Sequence, residues 1–228
     1  SFGRTLLDPL FAKVGWDAQA GESQNTALLR ATLLDALSQF DDPGVIAEAR
    51  KRFSEFLRDP SHITPDTRRS MLRIVALHAD AATWEQLHTL AKIGKTAMVK
   101  DEMYRILGTV RDRALAAKAL ALTLGNEVAI TTRPSIVRSV GVAHPDMAFD
   151  FMNTHRQLVM SWLEGDSQNQ FVPRVTQGSN DPKMIAKLNA YANAHIPATA
   201  RGDVVKATSA IGFNAEVRTK RLPEIDRW

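Results

Sequence analysis

The side chains best suited to hold a catalytic metal are the six histidines of this 228-residue chain. A zinc hydrolase needs two histidines one helical turn apart, a glutamate between them and a further carboxylate, so that three ligands converge and one position stays open for water. No histidine of this sequence lies within four residues of another; they are His62, His78, His88, His144, His155 and His195. The sequence therefore contains no zinc-hydrolase motif, and no catalytic or metal-binding residue is assigned to it.

Two shorter patterns resemble parts of functional motifs. Glu85 and His88 form an isolated Glu-x-x-His, but a di-iron site requires a second copy, so we predict a pair on the protein surface. Residues 94–96 read Gly-Lys-Thr, like the end of a phosphate-binding loop, yet the position that needs a glycine is Thr89. We predict that residues 94–96 only connect two helices.

Three arginines remain as candidate binding residues. Arg133, Arg138 and Arg174 are predicted to lie near helix starts, on one side of the helical hairpins described below. Solvated arginine is the alternative interpretation of all three.

Composition and charge exclude several classes of protein. Apolar residues make up 44% of the chain and charged residues 24%, as in soluble globular proteins. The 29 basic and 25 acidic residues are interspersed, so the net charge of +4 indicates solvated helix faces, and no nucleic-acid partner is predicted.

Cysteine content and hydropathy indicate a soluble chain but leave its compartment open. The chain has no cysteine, which fits both a reducing cytoplasm and a periplasm where no disulfides are needed. No apolar run reaches the ~18 residues of a membrane span. We expect a soluble protein, cytoplasmic or periplasmic.

Helical periodicity runs through the whole sequence. Leu29, Leu33, Leu37 and Phe40 recur at spacings of three and four, which predicts one apolar stripe along a helix. Similar patterns predict helices near 4–14, 24–39, 43–58, 65–79, 84–93, 97–107, 112–124, 134–141, 146–164, 183–194 and 202–220. The fold class is therefore all-α.

The predicted helix boundaries come from capping chemistry. Residues 42–43, 64–65 and 181–182 each pair an Asp or Thr with a proline, which suits the start of a helix. Residues 83–86, Thr-Trp-Glu-Gln, match a capping box.

Glycines and a polar stretch mark the predicted helix ends. Gly94, Gly108, Gly125 and Gly165 follow apolar-periodic stretches, where a left-handed residue commonly ends a helix. Residues 165–173, rich in Asp, Ser, Gln and Asn, are predicted to form a loop.

Many helices joined by short connections favour stacked helical hairpins over a four-helix bundle. We predict an irregular HEAT- or armadillo-like solenoid, an α-α superhelix, in one domain covering residues 1–228.

Several segments resemble the C-terminal helical domain of zinc aminopeptidases of the aminopeptidase N and puromycin-sensitive type. The family's Leu-Gly-Trp, Gly-Glu and Leu-Arg correspond here to Val14-Gly15-Trp16, Gly21-Glu22 and Leu29-Arg30. Further similar segments follow in the family's order: AEARKRFSEFL (47–57), ITPDTRRSMLRIVA (63–76), WEQLHTLA (84–91), HPDMAFDFMNTHRQLV (144–159) and RLPEIDRW (221–228).

The resemblance implies the C-terminal part of a longer zinc metallopeptidase that removes amino-terminal residues from peptides. Its zinc and catalytic residues would belong to an upstream catalytic domain of the same polypeptide, so this chain holds no cofactor of its own and is inactive alone. The helical domain would close the active-site chamber and help bind peptide substrates. Gly15 and Trp16 would close the first hairpin and plug its end, and Gly21 and Glu22 would cap the next helix.

Some members of the family hold the substrate carboxylate with basic residues of this domain. The segment 178–182 lacks the arginines that several relatives place there, so Arg174 or Arg138 would take that role. The alternative is a free-standing helical-repeat scaffold that binds a protein partner. The residue preference and the oligomeric state are not determined by the sequence.

Overall fold

The computed structural model describes residues 2–226, without the side chains of His62 and Asp226. Arg227 and Trp228, which end the family-like closing segment, lie outside the described residues. The helices are α1 Phe2–Val14, α2 Gln24–Gln39, α3 Pro43–Arg58, α4 Pro65–Leu77, α5 Ala81–Ile93, α6 Ala97–Leu107, α7 Arg113–Leu122, α8 Arg133–Ala143, α9 Pro145–Thr154, α10 Arg156–Ser161, α11 Ser167–Thr176, α12 Lys183–His195, α13 Gly202–Glu216 and α14 Leu222–Asp226. No strand occurs between residues 2 and 226, so the all-α prediction is confirmed.

The chain divides into two compact units within α5: the first ends at Leu87 and the second begins at His88. In the first unit, α1 packs against α2 and α3 against α4, while α2 also contacts α4. The short connections make these sequence neighbours helical hairpins, the local arrangement expected of a solenoid.

In α2, the middle of the predicted apolar stripe is part of the core, but the two ends of the stripe are not. Leu33 and Leu37 are buried, but Leu29 and Phe40 are 44% and 45% exposed. Arg30 is buried instead, because it bonds to Glu22 and to two backbone carbonyls.

In the second unit, α8 packs against α6, α7, α9 and α11. Helix α11 also packs against α9 and α13, and α12 packs against α13. The core side chains of α8 are Ile136, Val137 and Val140, all inaccessible to solvent.

The predicted loop at residues 165–173 is wrong, because most of it belongs to α11. Phe171, Val172 and Val175 of this helix are buried. Gly141 of α8 allows the close approach: a Cβ atom there would lie 2.5 Å from Val175 Cγ1. Packing of this apolar face outweighs the polar composition of the segment.

The predicted helix 146–164 is divided in the structure. His155 has φ −105° and ψ 29°, outside the helical range, and separates α9 from α10. Asn153 and Thr154, which precede the break, are both weak helix formers.

The capping predictions are confirmed at two helices and corrected at two others. Asp42 and Thr64 cap α3 and α4 as predicted. The capping box at residues 83–86 is wrong, because Asp80 Oδ1 accepts the Thr83 amide and α5 begins at Ala81. At α12, Asp181 Oδ1 accepts the amide of Lys183, and the helix begins at that residue.

Of the four glycines predicted to be left-handed, only Gly165 has a positive φ, 53°. At Gly108 φ is −77°. A Cβ atom on Gly108 would lie 2.9 Å from the Ile136 carbonyl oxygen, so this glycine serves the close approach of α8.

Candidate functional site

Arg133, a predicted substrate-binding residue, lies at the start of α8 and is buried. Its Nε donates to the Val128 carbonyl at 3.1 Å and its Nη2 to the Gly125 carbonyl at 2.8 Å. The guanidinium also lies 5.8 Å from the ring centre of Trp162. These contacts fasten the loop between α7 and α8; binding of substrate by Arg133 stays a prediction.

Arg138 and Arg174 lie on the neighbouring helices α8 and α11, and both are exposed. The Arg138 guanidinium lies 5.3 Å from the ring centre of Phe171, one helical turn before Arg174. Arg174 Nη2 donates to Asp203 Oδ2 at 3.3 Å. Arg138 thus presents a stacked, solvent-accessible guanidinium, whereas the charge of Arg174 is partly compensated.

The loop at residues 178–181 has no arginine of its own, but one reaches it from another element. Arg218, in the π-helical segment Val217–Arg221, donates to Asn180 Oδ1 at 2.8 Å. Asn214 Nδ2 donates to the Ser179 carbonyl at 3.3 Å. Nothing in the sequence spacing links Arg218 to this loop, because the two are 38 residues apart.

A groove of about 400 Å³ runs beside α7 and α9. Its apolar lining includes Leu120 of α7, Leu124 of the loop at residues 123–132, and Met147 and Phe151 of α9. Charged and polar residues also line it, namely Arg113, Asp150, Thr154 and His155. Sequence analysis missed this groove, because helical periodicity assigns such residues to a face without showing which faces meet.

His88 is buried and belongs to a polar cluster, so the predicted surface location is wrong for this residue. Its Nε2 lies 2.5 Å from Glu127 Oε1, which also accepts a hydrogen bond from the Tyr104 hydroxyl at 3.0 Å. Burial, together with the bond to Glu127, raises the pKa of Tyr104 to about 12. Burial alone would raise the pKa of Glu127, but the hydrogen bonds from His88 and Tyr104 lower it. The cluster holds the loop after α7 against α5 and α6.

Among the described side chains, which leave out His62 and Asp226, no group of three or more His, Asp or Glu could hold a metal ion. In the same part of the chain, no helix has the length and apolar character needed to cross a membrane.

The connection between α1 and α2 is built around a buried arginine. Gly15 has φ 58° and turns the chain away from α1. Arg30 donates to the carbonyls of Val14 and Gly15 at 3.1 Å and forms two hydrogen bonds with Glu22, at 2.8 and 2.5 Å. The predicted capping role of residues 21–22 is wrong, because the side chain of Ser23 caps α2.

Trp16 extends this connection toward α3. Its ring packs edge-on against Phe11, with centroids 6.3 Å apart, and lies 5.0 Å from the Arg52 guanidinium. Arg52 also donates to both carboxylate oxygens of Asp17, at 2.7 and 2.8 Å. We call residues 14–17, Glu22, Arg30 and Arg52 the Trp16 junction.

The family model of the ERAP1-like C-terminal domain matches residues 1–211. The chain belongs to this family. The resemblance drawn from residues 14–37 is thereby confirmed, and those residues form most of the Trp16 junction. In this ERAP1-like C-terminal domain, the residues that carry the resemblance therefore connect the first helices.

Curated relatives of the domain are aminopeptidases. Aminopeptidase M1-A of Oryza sativa subsp. japonica is 25% identical over 216 residues, which cover 92% of this chain and 25% of the relative. Aminopeptidase M1-C of the same plant is 28% identical, covering 71% of this chain and 19% of the relative. Aminopeptidase M1 of Arabidopsis thaliana is 31% identical, covering 51% and 14%. The chain thus spans a quarter or less of the length of these relatives.

Proposed function

We propose that this ERAP1-like C-terminal domain closes the peptide chamber of an M1 aminopeptidase and contributes to peptide binding. The observation that carries the proposal is the family match over residues 1–211, together with relatives that are aminopeptidases of far greater length. The catalytic domain lies upstream in the same polypeptide and supplies the zinc and its ligands. A helical wall over the active site restricts which peptides reach it and keeps bulky proteins out.

Arg138 is the arginine we assign to a substrate carboxylate. A guanidinium binds a carboxylate through two parallel hydrogen bonds, and stacking on Phe171 limits the orientations that Arg138 samples. Arg174 is one turn beyond Phe171 and adds positive charge to the same pair of helices.

The groove beside α7 and α9 suits an apolar side chain of the peptide. Pockets that bind small ligands combine an apolar lining with a few polar groups that fix orientation. Leu120, Met147 and Phe151 provide the former, and Arg113 and Asp150 the latter.

Peptide hydrolysis by two polypeptides tests the proposed function. One is this 228-residue chain and the other is the full-length product of its gene, both assayed with an amino-terminal aminoacyl reporter and analysed for zinc. We expect hydrolysis and about one zinc ion per molecule only in the full-length protein, because the ligands of a catalytic zinc lie in its upstream part.

A full-length product that neither binds zinc nor cleaves the reporter contradicts the proposal. A helical-repeat scaffold that binds a protein partner then becomes the better hypothesis.

A further inference from the structure

The connection between α5 and α6 carries an exposed group of apolar and basic side chains. Every residue from 92 to 100 except Gly94 is exposed, so the segment protrudes from the second unit. Its large apolar side chains, Ile93, Met98 and Val99, are 67%, 77% and 40% exposed. Single exposed apolar residues are normal, but three at the two ends of one short connection form a patch. We call residues 92–100 the α5–α6 tip.

The α5–α6 tip has a defined conformation. Thr96 Oγ1 accepts the amide of Val99 at 3.2 Å and caps α6. A Cβ atom on Gly94 would lie 2.8 Å from Lys100 Cγ, so the glycine lets the Lys100 side chain cross the turn. The exposed side chains therefore belong to an ordered turn, and binding through them requires little further ordering of the backbone.

The α5–α6 tip is also basic. It contains three lysines, at positions 92, 95 and 100, and no acidic residue. Lys92 Nζ lies 3.8 Å from Glu127 Oε2, which compensates part of its charge. The acidic residues that follow in α6, Asp101 and Glu102, are half-buried. The exposed apolar side chains thus lie among positive charges.

We infer that the α5–α6 tip binds the surface of an anionic lipid bilayer. Met98 and Ile93 enter the boundary between headgroups and acyl chains, where apolar side chains gain free energy by leaving water. Lys95 and Lys100 lie beside the lipid phosphates, because a lysine stem can follow an apolar surface while its ammonium stays at the headgroups. The inference does not rest on the proposed function, since lipid binding requires neither a peptide chamber nor a catalytic zinc.

The composition and shape of the α5–α6 tip favour a lipid surface over an acidic protein. Protein interfaces are depleted in lysine and enriched in arginine and aromatic residues, whereas the tip has three lysines and neither arginine nor aromatic residues. Three apolar side chains also cover far less than the roughly 800 Å² that each partner buries in a standard protein interface. A protruding turn fits a fluid headgroup layer, which rearranges around it, without the need for a matching cavity.

Vesicle co-sedimentation of the full-length product of the gene tests this inference. The vesicles are phosphatidylcholine with about one-third phosphatidylglycerol, or phosphatidylcholine alone. We expect stronger binding to the anionic vesicles, and weaker binding to them as the salt concentration rises. Lys95→Gln and Lys100→Gln should each weaken this binding about fivefold, because each removes one charge close to the anionic surface. Met98→Ser should weaken it about tenfold, because its apolar side chain no longer leaves water.

Lys183→Gln and Val142→Ser are the matched controls. Lys183 is an exposed lysine and Val142 is 78% exposed, and both lie outside the α5–α6 tip. Both control variants should bind anionic vesicles as the wild type does.

Failure of the wild type to bind anionic vesicles would overturn the inference, as would equal binding by the wild type and the three tip variants. Slow maleimide labelling of Met98→Cys in the full-length protein without vesicles would show that protein covers the tip, and would also overturn it. Binding that depends on the tip, in a full-length protein without peptidase activity, would support this inference while contradicting the proposed function.

Discussion

Arg30 shows how a single side chain can organise the connection between two helices. Its planar guanidinium reaches two backbone carbonyls and both oxygens of Glu22, which a lysine ammonium could not do in the same geometry. The side chains of Arg30 and Glu22 are 9% and 14% exposed. Removing either partner leaves the other charge poorly solvated, so the pair is more sensitive than a surface ion pair.

We predict that Glu22→Gln destabilises the domain at neutral pH and that this effect disappears in acid. The hydrogen bonds from Arg30, followed by that from the Gln19 amide, lower the pKa of Glu22 to about 2. An unfolded glutamate has a pKa of about 4.3. The stabilisation by ionised Glu22 is therefore fully present above about pH 4.3 and is lost as pH falls toward 2. Urea unfolding of both proteins between pH 7 and pH 2 measures the difference.

Asp35→Asn is the matched control for Glu22→Gln, since it removes the same charge from the same unit. Burial raises the pKa of Asp35, and the nearby Arg73 only partly opposes this. Ionised Asp35 therefore gives no comparable stabilisation at neutral pH. A constant free-energy difference between wild type and Glu22→Gln from pH 7 to pH 2 would contradict the assigned role of Glu22.

Arg138→Gln in the full-length enzyme should weaken peptide binding without affecting the chemical step. Loss of one exposed, charge-assisted contact of about 1 kcal/mol corresponds to a rise of about fivefold in KM for peptides. The kcat for peptides and both constants for a short aminoacyl reporter should not change, because the contact is remote from the reacting bond. Steady-state kinetics with both substrates measures this split.

Arg105→Gln is the control for Arg138→Gln, because Arg105 is also an exposed helical arginine. Unchanged KM values for all substrates in Arg138→Gln would remove Arg138 from the binding site. Equal effects of the two substitutions would indicate a general loss of positive charge instead.

Among the helices, α11 shows most clearly that local composition did not decide the structure. Its first turn is polar and Pro173 lies inside it, both of which disfavour a helix in isolation. The buried residues Phe171, Val172 and Val175 pack on neighbouring helices of the second unit. A segment this short gains most of its helical stability from such packing.

Two glycines inside helices of the second unit should respond to alanine with opposite signs. Gly141→Ala places a Cβ atom 2.5 Å from Val175 Cγ1 and 2.9 Å from the Val175 carbonyl oxygen. We expect it to lower the free energy of unfolding by about 1–3 kcal/mol. Gly212→Ala meets no atom within 4 Å and should raise it by about 0.5–1 kcal/mol, because alanine favours a helix interior. Denaturant unfolding compares both with the wild type.

A neutral or stabilising Gly141→Ala would show that α8 and α11 do not approach as closely as the structure indicates. A destabilising Gly212→Ala would show that the surface of α13 at this position is covered.

At the scale of the whole molecule, some exposed charges pair with a charge on a neighbouring helix of the same unit. Lys187 Nζ lies 3.2 Å from Asp150 Oδ1, and Arg73 Nη1 lies 3.1 Å from Asp35 Oδ2. This pairing agrees with the interpretation of the interspersed charges as solvated helix faces. The prediction of one domain over residues 1–228 stays a prediction, and the structure adds two compact units within it.

The proposed peptidase activity concerns a polypeptide longer than this chain. The ERAP1-like C-terminal domain accounts for a quarter or less of its aminopeptidase relatives, so peptide hydrolysis is expected of the full-length enzyme.

The sequence by itself determined the all-α class, most helix boundaries and the family, because helical periodicity, caps and ordered motifs are local properties of the chain. The tertiary structure alone decided that residues 167–176 form α11, that buried His88 bonds to Glu127, and that Arg218 reaches Asn180. It also decided that Arg133 fastens a loop while Arg138 remains exposed. Each of these outcomes depends on which helix faces meet. The free energy that favours one packing over another comes from contacts between residues distant in sequence. Local sequence patterns do not show these contacts.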